Sequence, residues 1–404
     1  MKTKLFTRNF TFLILGQISS LFGNYTLRFA MSMYVLEQTG SASIFAGLLA
    51  LSMLPTILLS PLGGILADRA NRRNIMVFLD IGSGIAVLIG CAVFWGGYDL
   101  VGIGLLLILL SVLGAFESPT VQACIPAMLS EKNIVKGNAA VNQVSAIASL
   151  VTPFLGSVLY TTFGILPIFY GAMACFFLTA GFECFIRLDF RNPDDRTGVW
   201  TIIREDFKVS MRFLGKEQTG ILKLLLLAAV VSLFVAGTLV VGFPYLVRTV
   251  LGLSAGYYGA AESAMGVAAI LGGVVVGVWA KKNRLRDMFV IFCVFGICLI
   301  LSGAAFLLPI GNTGRYVALL IFFCICQLGC SIFSTYAISV IQARTPESLM
   351  GKVMSYVFTL SMCAQPLGQM IYGVLFDLFS QNVYGVLIPS GVIVGCIGWG
   401  SPGF

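Results

Sequence analysis

Apolar positions along this chain come in long unbroken runs, and polar positions gather in short turns between them. The runs do not alternate with period two, which argues against barrel strands. Each is long enough to cross a hydrocarbon layer of about 30 Å as a helix of roughly 20 residues. Backbone groups in lipid must find partners within their own segment, which again selects helices. The pattern predicts twelve spans, at approximately 10–36, 43–67, 74–96, 101–128, 138–162, 165–187, 221–247, 255–280, 287–309, 315–343, 352–378 and 383–400. One long polar stretch, residues 187–220, separates the sixth from the seventh. The expected fold is an all-α membrane protein in two six-helix halves, 1–187 and 221–404, joined by a linker over 188–220.

Charge placement tests that count, because cytoplasmic loops carry an excess of Lys and Arg. With the N-terminus inside, all of the 25 Lys and Arg residues fall on inner segments except Arg248, Arg315 and Arg28. The first two lie at outer edges and Arg28 lies within span one. A single miscounted span would scramble this alternation. Both termini are therefore expected in the cytoplasm, and the net charge of +8 reflects topology rather than affinity for nucleic acid. Composition agrees, at 58% hydrophobic and 10% charged, against about 25% charged in soluble domains. The first run is too long for a signal-peptide core of about 7–15 residues and is read as a span.

Within the linker, Trp200, Ile203, Phe207, Met211 and Leu214 recur at helical spacing, with Arg204, Lys208 and Arg212 on another face. This predicts an amphipathic helix in the membrane interface. The eleven cysteines all fall in apolar runs, where a free thiol behaves as a small hydrophobe, so disulfides are not expected. Cys324, Cys326 and Cys330 cluster, but the chain has no histidine. Packing is the preferred reading, and neither a metal nor a cofactor is expected.

The halves resemble one another. The sequence after span four and the sequence after span ten both run from a polar inner loop through a glycine, Gly137 or Gly351, to a proline near mid-span, Pro153 or Pro366. A second glycine follows, Gly156 or Gly368. Such pairs suggest an internal parallel repeat, which is common among transporters.

The inner turn between spans two and three reads Gly64-Ile-Leu-Ala-Asp68-Arg69-Ala-Asn71-Arg72-Arg73. It resembles the G-x-x-x-D-R-x-G-R-R/K signature loop of the major facilitator superfamily, with Asn71 in place of the second glycine. Asn tolerates a left-handed turn better than most residues, and Gly64 is expected to let two helices approach closely. The resemblance implies that Gly64, Asp68, Arg69, Arg72 and Arg73 form a conformational gate, with Asp68 docking near Gly351 and Lys352. In span five, Thr152, Pro153 and Gly156 resemble the degenerate core of the superfamily's antiporter motif. "FESPTVQACIPAML" and "LRFAMSMYVLEQTGSAS" resemble the macrolide-efflux and siderophore-exporter branch.

An ionisable group inside a span is a functional candidate by default. Glu117, about 18 residues from Asp99, falls near mid-bilayer at about 1.5 Å per residue. A desolvated carboxylate favours its neutral form, so Glu117 is the first candidate for proton coupling, with a structural hydrogen-bonded acid as the even alternative. Arg28 and Glu262 share an outer depth and are further candidates. Asp80 is expected to pair with the charged turn, and Glu183 with Arg187 as an i,i+4 pair. Tyr25, Phe116, Phe234, Phe333 and Tyr336 are candidates for the substrate cavity, although helix packing is the commoner use of any one aromatic.

The resemblance and the buried charges together imply a secondary active transporter of a bacterial plasma membrane. The expected activity is proton-coupled export of small amphipathic compounds such as drugs or macrolides by a monomer. An importer or uniporter of a metabolite is the alternative, and a non-transporting sensor the weaker rival. No GxxxxGK[ST] loop occurs to bind a nucleotide, and no enzyme motif is apparent.

Overall fold

A computed structural model describes residues 5–188, 219–279, 286–344 and 347–399. The predicted amphipathic linker helix lies outside them. The helices are α1 (Arg8–Thr39), α2 (Ala42–Arg69), α3 (Arg72–Trp95), α4 (Asp99–Met128), α5 (Glu131–Phe163) and α6 (Ile165–Cys184). After the linker, α7 (Thr219–Val235) continues through π-helical turns at Ala236–Gly242 and Leu246–Val250 that flank Phe243–Tyr245. Then come α8 (Ala255–Trp279), α9 (Arg286–Leu307), α10 (Asn312–Arg344), α11 (Glu347–Leu378) and α12 (Tyr384–Trp399). Among the described residues, nine helical stretches are long and apolar enough to cross a membrane, and α12 is a shorter apolar helix. The chain is a multi-pass membrane protein. Leu58, Phe78 and Leu378 leave most of their surface uncovered, as lipid-facing side chains do.

The chain divides into two compact units, residues 1–38 with 51–196 and residues 39–50 with 197–404. In the first unit α3 packs on both α4 and α6. Phe10 and Leu13 of α1, Met76 of α3 and Cys124 of α4 form a buried apolar cluster. Small residues bring α1 against α6. A Cβ on Gly23 would come within 2.8 Å of the Cys175 side chain, and Thr179 donates its hydroxyl to the Gly16 carbonyl at 3.2 Å.

In the second unit α9 packs on α12, α8 on α10, and α11 on α7. Gly296 and Gly391 make α9 and α12 touch backbone to backbone. The equivalence of the halves is visible in packing. Gly156 of α5 receives the Phe29 ring of α1, and Gly368 of α11 lies against the Leu233 carbonyl of α7. Each glycine opens its helix to the first helix of its own half.

The start of α2 belongs to the second unit. Asp377, near the end of α11, accepts the Ser41 hydroxyl at 2.6 Å and the Ala42 and Ser43 amides at 2.7 and 2.9 Å. These amides open α2 and have no partner within the helix. The carboxylate is an N-cap delivered from another helix, suited to the positive end of the helix dipole.

Candidate functional site

The buried polar groups of the first unit converge from four helices. Ser20 on α1 has its hydroxyl 3.3 Å from Asp80 Oδ1 on α3 and 3.3 Å from Glu117 Oε1 on α4. Asp80 also meets Glu183 on α6 in a side-chain hydrogen bond. Asp80 and Glu183 are each 1% exposed, whereas Glu117 is half-buried. Pro119 and Pro126 lie inside α4 beyond Glu117. Glu117 therefore keeps some access that the other two carboxyls lack.

Two sequence expectations are corrected here. Asp80 faces Ser20 and Glu183 rather than the charged turn. Glu183 does not form an i,i+4 pair with Arg187, because α6 ends at Cys184 and Arg187 lies past the helix, its backbone bound to the Asn9 side chain. Sequence reasoning named both acids yet missed their convergence. The only available signal was that each is a carboxyl inside an apolar run.

Arg28 donates to the Asn24 side chain at 2.8 Å and to the Ser111 hydroxyl at 3.2 Å, so its hydrogen bonds go to neutral groups. Glu262, in the second unit, is hydrogen-bonded by Tyr258 one helical turn earlier on α8. Each thus has a partner within its own unit.

The charged turn is built differently from its expected pattern. Asn71 is not left-handed. Its backbone is extended, with φ −67° and ψ 107°, and its side chain caps α3 by accepting the Asn74 amide at 3.4 Å. An N-cap prefers that backbone and an Asn side chain, which accounts for an Asn here. The close approach expected of Gly64 occurs at Gly63, where a Cβ would come within 2.5 Å of the Ala115 carbonyl, while a Cβ on Gly64 would meet nothing within 4 Å. Arg72 Nε donates to the Ala67 carbonyl at 2.8 Å, and Arg73 Nη2 to the Cys184 carbonyl at 2.6 Å. The second bond ties the turn to the end of α6, where free carbonyls welcome a cation. Arg69 stands at the last position of α2. The side chains of Asp68 and Lys352 lie outside the described residues, and with them the expected docking near Gly351 and Lys352.

In α5 the motif face is buried at Thr152, Pro153 and Gly156, while Phe154 and Leu155 are exposed. The Thr152 hydroxyl bonds back to the Ala148 carbonyl at 2.7 Å, which satisfies it without a partner helix. Of the cavity candidates, Tyr25 and Phe116 are half-buried in the first unit. Phe234 and Phe333 line one apolar pocket in the second unit with Phe292, Phe295 and Val394, set between α7, α9, α10 and α12. Phe333 is 3% exposed and meets Phe292 edge-on at 5.3 Å. Tyr336, one turn further along α10, is half-buried. Cys326 packs toward Cys298 and the Phe295 carbonyl. Among the described residues no group of three His, Cys, Asp or Glu is placed to hold a metal ion.

A sequence model of the Major Facilitator Superfamily matches residues 13–369. The chain belongs to that superfamily. It is 23% identical over 387 residues to macrolide efflux protein A of Streptococcus pyogenes, covering 95% of this chain and 92% of that one. It is 26% identical over 378 residues to the uncharacterized MFS-type transporter YfiS of Bacillus subtilis, covering 90% and 86%. Among solved structures, a bacterial homologue of the iron transporter ferroportin in its inward-facing state matches with a TM-score of 0.74 at 16% identity, covering 97% of this chain and 98% of that one. A D-xylose–proton symporter matches with a TM-score of 0.71 at 14% identity, covering 96% and 97%. The chain is thus a major facilitator transporter, with a membrane environment and a small-molecule substrate.

Proposed function

We propose that this transporter is a proton-coupled exporter of small amphipathic compounds, macrolides among them, working by alternating access in a bacterial plasma membrane. The carboxyl of Glu117 carries the reading. It is half-buried among apolar helices, and its Oε1 lies 3.3 Å from the Ser20 hydroxyl of α1. Such a group binds a proton in one setting and releases it in another as its solvation changes. Proton occupancy can therefore be tied to the side on which the site opens. The names of the streptococcal relatives support the substrate class.

In this proposal Arg28 and Glu262 tune the charge around the transport path. Tyr25, Phe116, Phe234, Phe333 and Tyr336 supply apolar and aromatic surface to the substrate. The turn Gly64, Asp68, Arg69, Arg72 and Arg73 acts as the inner gate, and Thr152, Pro153 and Gly156 give α5 its small-residue packing face. The protein works as a monomer with both termini cytoplasmic, and it binds no nucleic acid.

Everted vesicles given an inside-acid proton gradient and a labelled macrolide in the outer medium test this, with uptake into the lumen reporting export. Glu117→Gln is expected to abolish gradient-driven transport while leaving substrate counterflow in place. Gradient-driven transport at the wild-type rate in Glu117→Gln would remove Glu117 from coupling. Accumulation in the importing direction would make the protein an importer on the same fold.

A further inference from the structure

We infer that Glu117, Ser20, Asp80 and Glu183 form one proton-sharing chain, in which the half-buried Glu117 is the mouth and the sealed Asp80–Glu183 pair is the store. This deepens the coupling reading above and rests on it. The stoichiometry of hydrogens carries the inference. Ser20 Oγ lies 3.3 Å from a carboxyl oxygen on each side but owns a single hydrogen. Split between two carboxylates, that hydrogen makes only a weak three-centre bond to each. Both contacts are full hydrogen bonds only when one carboxyl holds a proton and donates to Ser20 Oγ.

The contact between Asp80 and Glu183 obeys the same rule, since two ionised carboxylates have no donor. Asp80 Oδ2 and Glu183 Oε2 receive no hydrogen bond from any donor group, at 1% exposure of each residue. Two bare charges there would carry a heavy desolvation cost. Gln17, one turn before Ser20 and 6% exposed, holds a further unpartnered polar atom, its Nε2 amide.

Two protons on the three carboxyls satisfy every contact. Glu117 donates to Ser20 Oγ, Ser20 to Asp80 Oδ1, and Asp80 to Glu183, which remains the one carboxylate. Transfer follows the same line. Glu117 gives its proton to Ser20 Oγ, Ser20 gives its own to Asp80, and Asp80 gives its own to Glu183. At every link one O–H bond breaks as the next forms, and serine ends as a hydroxyl. The proton has moved from Glu117 to Glu183, and the negative charge has moved the other way. Interacting carboxyls of this kind lose their protons as a set rather than singly.

The other groups that face the chain come from three helices. Gln17 lies on α1. Tyr25, also on α1, lies within electrostatic reach of Glu117 and of Arg28. Cys124 of α4 lies within electrostatic reach of Glu183 and of Arg72 on α3.

Infrared spectroscopy of the full chain in lipid vesicles, titrated with pH, tests the inference without any substrate. Wild-type protein is expected to show a protonated-carboxyl band at neutral pH, diminished in Asp80→Asn, which removes one of the two protons, and retained in Glu183→Gln, which removes only the carboxylate. The share of the band lost in Glu117→Gln belongs to Glu117. The pH at which that share fades should move by about one unit or more, tenfold in proton affinity, in Asp80→Asn and in Ser20→Ala. Ser20→Thr, which keeps the hydroxyl, should restore it. If Asp80→Asn does not insert, the Ser20 variants decide alone.

A wild-type protein without the band overturns the chain, as does a Glu117 share that fades at one pH in every variant. Loss of the band on adding calcium alone would make the cluster a cation site and overturn it as well. Unchanged proton-driven efflux in Glu117→Gln would strike the transport reading even with this infrared pattern intact. The missing pattern with Glu117-dependent efflux would strike only the chain.

Discussion

Inside the first unit, hydrogen-bonding groups from α1, α3, α4 and α6 converge on Ser20, Asp80, Glu117 and Glu183. Inside the second, Glu262 is met by Tyr258 from its own helix, and Phe234, Phe292 and Phe333 line an apolar pocket. The helical frame repeats, since Gly156 and Gly368 do the same service for α1 and α7. The chemistry does not. A carboxyl cluster bridging four helices registers any change in their separation, whereas a carboxyl bonded within one helix moves with that helix as a body. On the proposed reading, proton handling falls to the first unit and apolar contact to the second.

The sharpest way to break that division is to neutralise one acid in each unit. Glu117→Gln should lower proton-driven efflux at least about 100-fold, the scale of losing a positioned proton donor. Glu262→Gln should cost a few-fold at most. Equal losses in the two, measured in everted vesicles, would end the comparison.

Next in size is the apolar side. Phe333→Ala should lower unfolding stability by about 3–5 kcal/mol, as for a fully buried ring, read from thermal unfolding in detergent. The half-buried Phe234→Ala should destabilise less and instead change which compounds compete for transport, with the pH profile unmoved. A smaller effect separates two adjacent glycines. Gly63→Val should cost about 1–3 kcal/mol by overpacking against α4, and Gly64→Ala should stay within about 0.5 kcal/mol. Smallest is the cap of α3. Asn71→Ala should cost about 1 kcal/mol and Asn71→Gly only a few tenths.

Much of the frame was legible in the sequence because lipid demands long apolar segments. The span predicted at 101–128 is α4 at Asp99–Met128, and that predicted at 165–187 is α6 at Ile165–Cys184. The predicted span 138–162 begins earlier, at Glu131, because the polar inner turn is already helical after Ser130. Helix rotation was not legible. In a membrane both faces of a helix are apolar, so the pattern around Asp80 or Glu183 does not say which way either points. Ser20, Asp80, Glu117 and Glu183 are scattered over more than 160 residues, and only packing registers bring them together. Asn71 shows the opposite case. A motif template suggested a left-handed turn, while the local chemistry of an N-cap had the better claim. The π-helical turns around Phe243–Tyr245 had no sequence signal beyond Pro244, which cannot donate a backbone hydrogen bond.

Asp377 leads to a genetic consequence. Besides the Ser41 and Ser43 side chains, its partners are peptide amides at 42 and 43, and every residue except proline supplies one. A saturation scan of the N-terminus of α2 would therefore find proline excluded at both positions, with the fully buried Ala42 limited to small residues by packing rather than by this bond. The same scan at 377 would find a position intolerant of nearly everything. The bond would surface in mutational data as a solitary sensitive acid with no side-chain counterpart at 42, and covariation between the two helices would miss its backbone part.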